Sequence, residues 1–469
     1  MVMAVTVQAE VTVYPPLPGN RYASDSYTLN VRQETTQSSY VYQSNVDTIE
    51  NSKWALSRLG KSNHWTSFSF DGIVTVEVIL PAGAVPSSAT VYPLRKGVSA
   101  TTAGNVVTLN IGEPGQYYVE IPGYEGKPLF IFANPPEEDT PRNGQPGVLY
   151  FGPGYHDVGK TQLASLPEGA TVYIAGGAYV RGLLGSSAGN ITIRGRGILS
   201  GIGWPRPREW TNHMIRLSGK AGGNRIEGIV LTDGPKANII SSSTTLIENV
   251  KIFGWHHNND GITVGPNSVI RNCFLKVNDD AIKLYYSGIQ AYDNVIWMQL
   301  AGAAFQLSWN LSRQVSGTHV SRTDFIGFDR PAASIDHWHN NAVIGCRNLN
   351  GGAVSGIVFE DFHFDKRPWQ LFGVKIKDGL AGYTAGQGSI DGLVFRNFHV
   401  PDAPLTKSCF DGNGNATGEI KNLTFENIRI GTTCLTEGNA QDYIEWRGMA
   451  DRGSFTFSQS GHRRADEGN

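Results

Sequence analysis

The sequence predicts an all-β protein, in which a right-handed parallel β-helix follows an N-terminal β-sandwich. Three observations predict this fold class. Short runs of β-forming residues alternate with turn residues along the chain, 56 of the 469 residues are glycine, and the β-runs repeat every 21–23 residues in the second part. The pattern changes after a stretch rich in Pro, Glu, Asp and Gly at residues 134–147, so we expect two domains, at residues 1–160 and 161–469.

The N-terminal part has the pattern of a β-sandwich. Residues 27–31, 75–80 and 106–111 alternate apolar β-formers with polar residues, and clusters of Pro, Gly and Asn separate such runs. Alternation places one face of each strand in a core and the other in water. Many short strands divided by turn signals are typical of two packed antiparallel sheets.

The second part repeats one pattern. Asn249, Asn272 and Asn294 follow similar β-runs at separations of 23 and 22 residues, and further copies begin near residues 358 and 394. This period fits one coil of a parallel β-helix, whose strands stack about 4.8 Å apart. Asparagine suits the coil turns because it tolerates left-handed backbone. A leucine-rich repeat has a similar period, but its Leu-x-x-Leu-x-Leu signature and helical half are missing here.

Charge and composition exclude several classes of protein. The formal charge is −2 and the isoelectric point about 6.6, which gives no electrostatic surplus for binding nucleic acid. No apolar run reaches the roughly 18 residues of a membrane span, so no membrane partner is predicted. Four cysteines are too few for a disulfide framework. Pairing of Cys409 with Cys434 and four buried thiols both stay open.

Two similar segments one coil apart carry the candidate catalytic residues. Residues 258–262 read Asn-Asn-Asp-Gly-Ile and residues 278–282 read Asn-Asp-Asp-Ala-Ile. The offset of 20 residues predicts that Asp260 and Asp280 stack, with Asp279 beside them. Two anions at ~5 Å repel by about 3 kcal/mol at an effective dielectric constant near 20, so the cluster needs a shared proton or a cation. A shared proton is what acid–base cleavage of a glycosidic bond uses.

Other interpretations of this cluster remain. Aspartate is common at the corners of any β-helix, where it has a purely structural role. A calcium site serving a polysaccharide lyase is a third possibility. We predict no metal and no cofactor.

Side chains near the two segments are candidates for substrate binding. Aromatic rings stack on sugar rings, and Lys, Gln, Asn and His donate hydrogen bonds to hydroxyl groups. Each of them also has a structural interpretation, such as filling the core. The candidates are His257, Asn258, Lys283, Tyr285, Gln306, Trp309, Trp338 and His339.

At these residues the sequence resembles a clan of glycoside hydrolases, which unites the polygalacturonases of family 28 with the dextranases and isopullulanase of family 49. Both families carry an Asp followed about one coil later by an Asp-Asp pair. The continuation Ala-Ile-Lys-Leu-Tyr-Tyr at 281–286 and the preceding sandwich are most similar to family 49. Polygalacturonases add Gly-His-Gly and Arg-Ile-Lys motifs. This chain has Gly-Ala-Ala from Gly302 at the first place and no Arg-Ile-Lys.

The resemblance implies an inverting hydrolase with Asp279 as general acid and with Asp260 and Asp280 as the base pair that holds the attacking water. It implies a polysaccharide or oligosaccharide substrate, with a neutral α-glucan such as dextran or pullulan expected. Such an enzyme is expected to be secreted or periplasmic, although the first residues show no signal peptide. The alternatives are a polygalacturonase-like hydrolase or a β-helix lyase acting on an acidic glycan, and a β-helix that binds glycans without catalysis.

Overall fold

The structure, a computed structural model, describes residues 11–45, 62–159, 166–205, 207–329, 340–377, 386–412 and 418–459. The chain divides into two compact units. The first comprises Met1–Asn259 and Asn272–Asn278, and the second Asp260–Arg271 and Asp279–Asn469. The domain boundary expected near residue 160 stays a prediction.

Two sheets form the N-terminal part of the first unit. One contains Thr12–Val13, Val41–Asn45, Ser62–Ser69, Thr90–Tyr92, Gly115–Glu120 and Leu129–Asn134. The other contains Thr28–Arg32, Thr36–Ser39, Val74–Ile79, Ala100–Ala103 and Val106–Ile111. Their pairings are antiparallel except for Leu129–Asn134, which runs parallel to Ser62–Ser69.

The two sheets enclose a common hydrophobic core. Leu29, Val76 and Leu109 of one sheet pack in the same buried cluster as Phe68 and Ile131 of the other. Alternate residues of Val74–Ile79 are buried, as expected for strands with one face in the core. The predicted β-sandwich is therefore present.

The remaining strands of the first unit form parallel coils. Successive partners are Thr171 with Thr192, Ile226 with Ile247 and Lys251 with Phe274, so neighbouring coils are separated by the period that the sequence predicts. The strands are Val148–Phe151, Gly154–Gly159, Thr171–Ile174, Ala178–Gly182, Leu184–Ser186, Thr192–Gly195, Ile198–Ser200, Ile215–Leu217, Asn224–Glu227, Val230–Thr232, Ile239–Ser241, Thr245–Glu248, Lys251–Phe253 and Phe274–Val277.

The second unit also consists mainly of parallel coils, which vary more in length. Ile262 pairs with Ile282 and Ile282 with Phe305, whereas a much longer stretch of chain separates Phe305 from its partner Ile344. Thr433–Cys434 pairs antiparallel with Thr424–Ile430, whereas the other strands pair in parallel. The strands that lie in two of the sheets are Ile262–Thr263, Val269–Arg271, Ile282–Lys283, Gln290–Tyr292, Val295–Met298, Phe305–Ser308, His319–Phe328, Ile344–Cys346, Val358–Phe364, Phe372–Lys375, Val394–Val400, Ser408–Asp411, Thr424–Ile430, Thr433–Cys434, Ile444–Arg447 and Thr456–Ser458. A third sheet contains Gln314–Ser316, Asn350–Ser355, Gln387–Asp391 and Gly418–Lys421.

Polar and aromatic ladders run along the later coils. Asn427 donates to Asn397 at 2.8 Å, and Asn397 donates to Asp361 at 2.9 Å. All three have left-handed backbone, which confirms the role expected for such residues at coil turns. Inside, Phe362 stacks on Phe398 with ring centroids 4.5 Å apart.

One position in the predicted repeat was wrong. The left-handed turn residue after Gln290–Tyr292 is Asp293, with φ of 58°, and Asn294 comes one residue too late to be its equivalent. Asn294 is buried and donates a hydrogen bond to the carbonyl oxygen of Ile270 at 3.2 Å. The error arose because aspartate adopts left-handed backbone as readily as asparagine does.

Helical structure is sparse among the described residues. The α-helix is Ala440–Tyr443, and 3₁₀ turns lie at Pro18–Asn20, Leu94–Lys96 and Arg452–Ser454. No helix of the described segments is long and apolar enough to cross a membrane. The four cysteines all lie in described segments as thiols, and no disulfide joins Cys409 to Cys434. The predicted fold class, a parallel β-helix preceded by a β-sandwich, is confirmed.

Candidate active site

The strand register of the second unit brings the three aspartates together. Ile262 pairs with Ile282, which confirms the predicted offset of one coil, and the N–H of Gly261 donates to the carbonyl oxygen of Asp280 at 2.9 Å. One carboxylate oxygen from each of Asp260, Asp279 and Asp280 lies within 4.8 Å of the other two. The three carboxyl groups therefore form one cluster.

Gly302 allows the next coil to approach the Asp279–Asp280 peptide. Its φ is +89°, and a Cβ atom at this position would lie 1.9 Å from the carbonyl carbon of Asp279. Any side chain would therefore push the two coils apart, besides straining a left-handed backbone. The glycine keeps the aspartate pair against the coil that follows it.

Hydrogen bonds fix the carboxylate of Asp280. Its Oδ1 accepts from the backbone N–H of Ala303 at 3.0 Å and from Nδ2 of Asn340 at 2.8 Å. The neighbouring Asp279 accepts the N–H of Asp280 through its own Oδ1 at 3.0 Å. Asp280 is only 2% exposed, whereas Asp279 is partly exposed. Of this pair, Asp279 is the one that a solute reaches more easily.

Lys283 supplies a cation to the other two carboxylates. Its Nζ lies 3.0 Å from Oδ1 of Asp260 and 3.5 Å from Oδ2 of Asp280. Although burial by itself lowers the pKa of Lys283, the carboxylates of Asp260 and Asp280 outweigh it and raise this pKa well above its usual range. The lysine is therefore charged, and its ammonium group lies against both carboxylates.

Asp279 has the opposite electrostatic environment. Burial and then the negative charges of Asp260 and Asp280 raise the pKa of Asp279 well above its usual range, and Lys283 only partly opposes them. Like charges this close do not all ionise together. The raised pKa favours the protonated form of Asp279.

A metal ion is a poorer explanation of this cluster. Within the described residues these three aspartates form the one group of at least three potential ligands close enough to share an ion. However, the ammonium group of Lys283 already contacts two of the three carboxylates. It provides the positive charge that a metal would provide, and it would repel one.

Polar groups on the neighbouring coils extend the site. Gln306 pairs with Lys283 in the strand ladder, and its carboxamide is fully buried, with no hydrogen-bond partner among the described residues. Its Oε1 and Oδ1 of Asn340 both lie within 3.2 Å of where a Cβ atom of Gly345 would be. The hydroxyl of Tyr285 likewise has no partner in the described part of the chain. The neighbouring coils therefore place buried polar atoms without partners among the described residues next to the cluster.

Arg347 lies against the ring of Trp309. The guanidinium carbon of Arg347 is 4.9 Å from the ring centroid of Trp309, an arrangement that favours a cation–π interaction. Burial lowers the pKa of Arg347 to about 10, although the charges of Asp280 and Asp279 act in the other direction. The arginine thus acts on the acidic pair from a distance.

Four of the predicted substrate contacts stay untested. His257 and Asn258 belong to the first unit, where Lys236 donates to Oδ1 of Asn258 at 3.5 Å. Trp338 and His339 lie outside the described residues. The roles proposed for these four side chains stay predictions.

Three functional candidates were missed by the sequence analysis, namely Gly302, Asn340 and Arg347. Gly302 was noted only as a departure from another family's motif. Nothing in the local sequence connects Asn340 with Asp280, 60 residues earlier. Arg347 is completely buried, and its only sequence signal is a charge inside a β-run.

Known proteins similar to this chain include several glucan-degrading enzymes. Isopullulanase of Aspergillus niger is 23% identical over 508 aligned positions, covering 92% of this chain and 89% of that protein. Dextranase of Arthrobacter globiformis is 27% identical over 207 positions, covering 38% of this chain and 32% of that protein. Dextranase of Talaromyces minioluteus is 28% identical over 214 positions, covering 39% and 35%. The chain thus spans about a third of the length of the dextranases in these alignments.

The fold comparison agrees with the sequence comparison. Dex49A from Penicillium minioluteum superimposes with a TM-score of 0.69 and 18% identity, covering 95% of this chain and 96% of that one. At this identity the match shows the fold. No protein-family model matches the chain. The relatives confirm the predicted resemblance to the dextranase and isopullulanase group.

Proposed function

We propose that this chain is a glycoside hydrolase that cleaves a neutral α-glucan by acid–base catalysis at Asp260, Asp279 and Asp280. The observation that carries the proposal is the division of charge within the cluster. Lys283 contacts Asp260 and Asp280, while burial and those two carboxylates raise the pKa of Asp279. Two carboxyl groups with opposite protonation preferences are what glycosidic hydrolysis requires.

Asp279 acts as the general acid. It holds a proton at pH values where an ordinary carboxyl group is ionised, and it is partly exposed, so a bound glycosidic oxygen can reach it. Proton donation to this oxygen makes the departing sugar a neutral alcohol. The hydrogen bond from the N–H of Asp280 fixes one oxygen of Asp279 and leaves the other to carry the proton.

Asp260 and Asp280 act together as the base. Lys283 bridges them, and Asn340 with the N–H of Ala303 fixes the plane of the Asp280 carboxylate. A water held between the two carboxylates loses its proton to them as it attacks the anomeric carbon. The hydrogen bonds to Asp280 Oδ1 reduce its power as a nucleophile, which suits a base better than a covalent catalyst.

We propose inversion of anomeric configuration. The presence of two carboxylates for the base, with Asp279 as a separate acid, supports a single displacement by water. The opposing observation is that the nearest carboxylate oxygens are within 4.8 Å, closer than the 6.5–9.5 Å typical of inverting enzymes and nearer to the ~5 Å of retaining ones. NMR of the first-formed anomer decides: inversion gives the β-anomer from an α-glucan, and the α-anomer would favour retention.

A neutral substrate fits the site better than an acidic one. A uronate carboxylate needs a cation, but Lys283 is engaged by two aspartates and Arg347 is fully buried. Gln306 and Tyr285, which extend the site, are uncharged and offer no cation to a uronate. The similar proteins named as dextranases and isopullulanase support an α-glucan, and such a polymer places the enzyme outside the cell or in the periplasm.

The test is the Asp279→Asn variant of the full chain in a reducing-end assay on dextran and pullulan. We expect turnover to fall at least 10²-fold, because general acid catalysis contributes about 10²–10⁴-fold. Asp293→Asn is the matched control, since Asp293 pairs with Arg322 at a coil turn and takes no part in the cluster. More than about 1% residual turnover would show that another group is the acid. Unsaturated uronide products would indicate a lyase, and binding without cleavage a glycan-binding protein.

A further inference from the structure

A pocket in the first unit shares no residue with the acidic cluster. Its volume is about 440 Å³, within the ~300–1,000 Å³ usual for small-molecule sites. It lies between the N-terminal strands and the first parallel coils. The lining residues are Tyr22, Ala23, Asp25, Gln43, Ser44, Tyr179, Ile202 and Asp233.

Aromatic rings form one wall of this pocket. The centroids of the Tyr22 and Tyr179 rings are 4.9 Å apart, and Tyr155 stacks on Tyr179 at 5.9 Å. The guanidinium carbon of Arg21 lies 4.2 Å from the ring centroid of Tyr155. Tyr22 itself is partly exposed, so its ring lines the pocket without being covered by the core.

Tyr22 keeps this position through an uncommon backbone conformation. Its φ is +62°, a left-handed value that bulky residues rarely adopt. The N–H of Gln43 donates to its carbonyl oxygen at 2.7 Å, which ties the turn to the neighbouring strand. A glycine or asparagine would adopt this turn more easily, so the presence of an aromatic ring points to a use for the ring.

The other walls are polar. Asp233, also in left-handed backbone, accepts from the Ser200 hydroxyl at 2.9 Å, and Gln43 accepts the N–H of Asp25 through Oε1 at 2.9 Å. The Ser44 hydroxyl is buried and has no hydrogen-bond partner among the described residues. Carboxylates, an amide and a hydroxyl beside an aromatic wall match a neutral polyol.

We infer that this pocket is a second carbohydrate site, which binds a short segment of a neutral oligosaccharide. A sugar ring stacks on Tyr22, and its hydroxyl groups donate to Asp25 and Asp233 and bond to Ser44. If the proposed hydrolase function holds, this second site binds the polymer without taking part in its cleavage. It would serve equally well in a chain without hydrolase activity.

The experiment measures binding in the full chain carrying Asp279→Asn, so that no sugar is consumed. Isomaltotriose and maltotriose are titrated by calorimetry, with and without Tyr22→Asn or Ser44→Ala. Asparagine tolerates left-handed backbone, so Tyr22→Asn removes the ring and keeps the turn. Tyr150→Ala is the control, because Tyr150 stacks on Tyr173 and does not line the pocket.

We expect Tyr22→Asn to abolish one binding event or weaken it at least tenfold, Ser44→Ala to weaken the same event, and the control to change neither. Isotherms that neither substitution changes would overturn the inference. Binding of calcium at the pocket, with no binding of either sugar there, would also overturn it. Hydrogen exchange is also measured without a substitution in the pocket, so that the result does not depend on how the variants fold. We expect isomaltotriose to slow amide exchange at residues 21–25 and 43–44. Unchanged exchange there would contradict the site. Lack of glucan turnover refutes the proposed function alone, because these measurements need no cleavage.

Discussion

Replacing Lys283 with methionine tests how the acidic cluster is held together. At separations of 3.0 and 3.5 Å and an effective dielectric constant near 20, the attractions of Lys283 to Asp260 and Asp280 are about 5.5 and about 4.7 kcal/mol before solvation is counted. The side chains are 13%, 4% and 3% exposed, so returning them to water recovers several kcal/mol per ion. The net loss expected for breaking this buried cluster is about 3–5 kcal/mol.

The assay is urea unfolding of the Lys283→Met variant at neutral pH, with Lys421→Met as the control. Lys421 contacts Glu419 at 2.8 Å, but on the surface, and its removal should leave the unfolding midpoint nearly unchanged. Because the pKa of Lys283 is raised in the folded chain, its contribution is complete below the ordinary lysine pKa and is lost as pH rises through the higher folded value. If Lys283→Met unfolded at the same urea concentration as Lys421→Met, the lysine would not be compensating the carboxylates.

Three further substitutions test the surroundings of the acid. Gly302→Ala should lower the free energy of unfolding by about 2 kcal/mol or more, because the new Cβ would clash with Asp279. The control Gly317→Ala also has a left-handed φ but open space around it, so it should lower that free energy less. Equal losses in urea unfolding would contradict the steric argument. Asn340→Leu removes a hydrogen-bond donor to the carboxylate of Asp280. We expect kcat to fall about 10–100-fold and its pH profile to shift, with little change in KM. An unchanged kcat would exclude a positioning role for Asn340. A raised pKa of Asp279 stabilises the native chain less as pH rises from the ordinary Asp pKa through the higher folded value, and Asp279→Asn should remove this contribution from the unfolding free energy. Parallel pH curves for the two proteins would contradict the raised pKa.

The repeat of the sequence was enough to predict the coils and the acidic cluster. The duplicated segments are separated by the length of one short coil, so Asp260 and Asp280 were placed from spacing alone, and Ile262 does pair with Ile282. Lys283 was predicted as a substrate contact; in the structure it contacts both aspartates, because a buried lysine needs an acidic partner.

The remaining parts of the site depend on distances that the repeat does not encode. Phe305 pairs with Ile344, so the coil between them is much longer than the coils before it. A fixed period therefore does not place Asn340 next to Asp280. The need for Gly302 comes from a close approach between backbones, which leaves no trace in local composition. The pocket lined by Tyr22 and Tyr179 in the first unit brings together residues that are far apart in sequence, and no short motif marks it.

The most direct test of the central claim is a ¹³C NMR titration of the aspartate side-chain carboxyl groups in the full chain and in Asp279→Asn. A proton held by Asp279 beside two ionised carboxylates predicts one carboxyl resonance that titrates well above the ordinary aspartate value of about 3.9 and that disappears in the variant. If every aspartate titrated in the ordinary range, or if the shifted resonance persisted without Asp279, the assignment of the acid would be wrong.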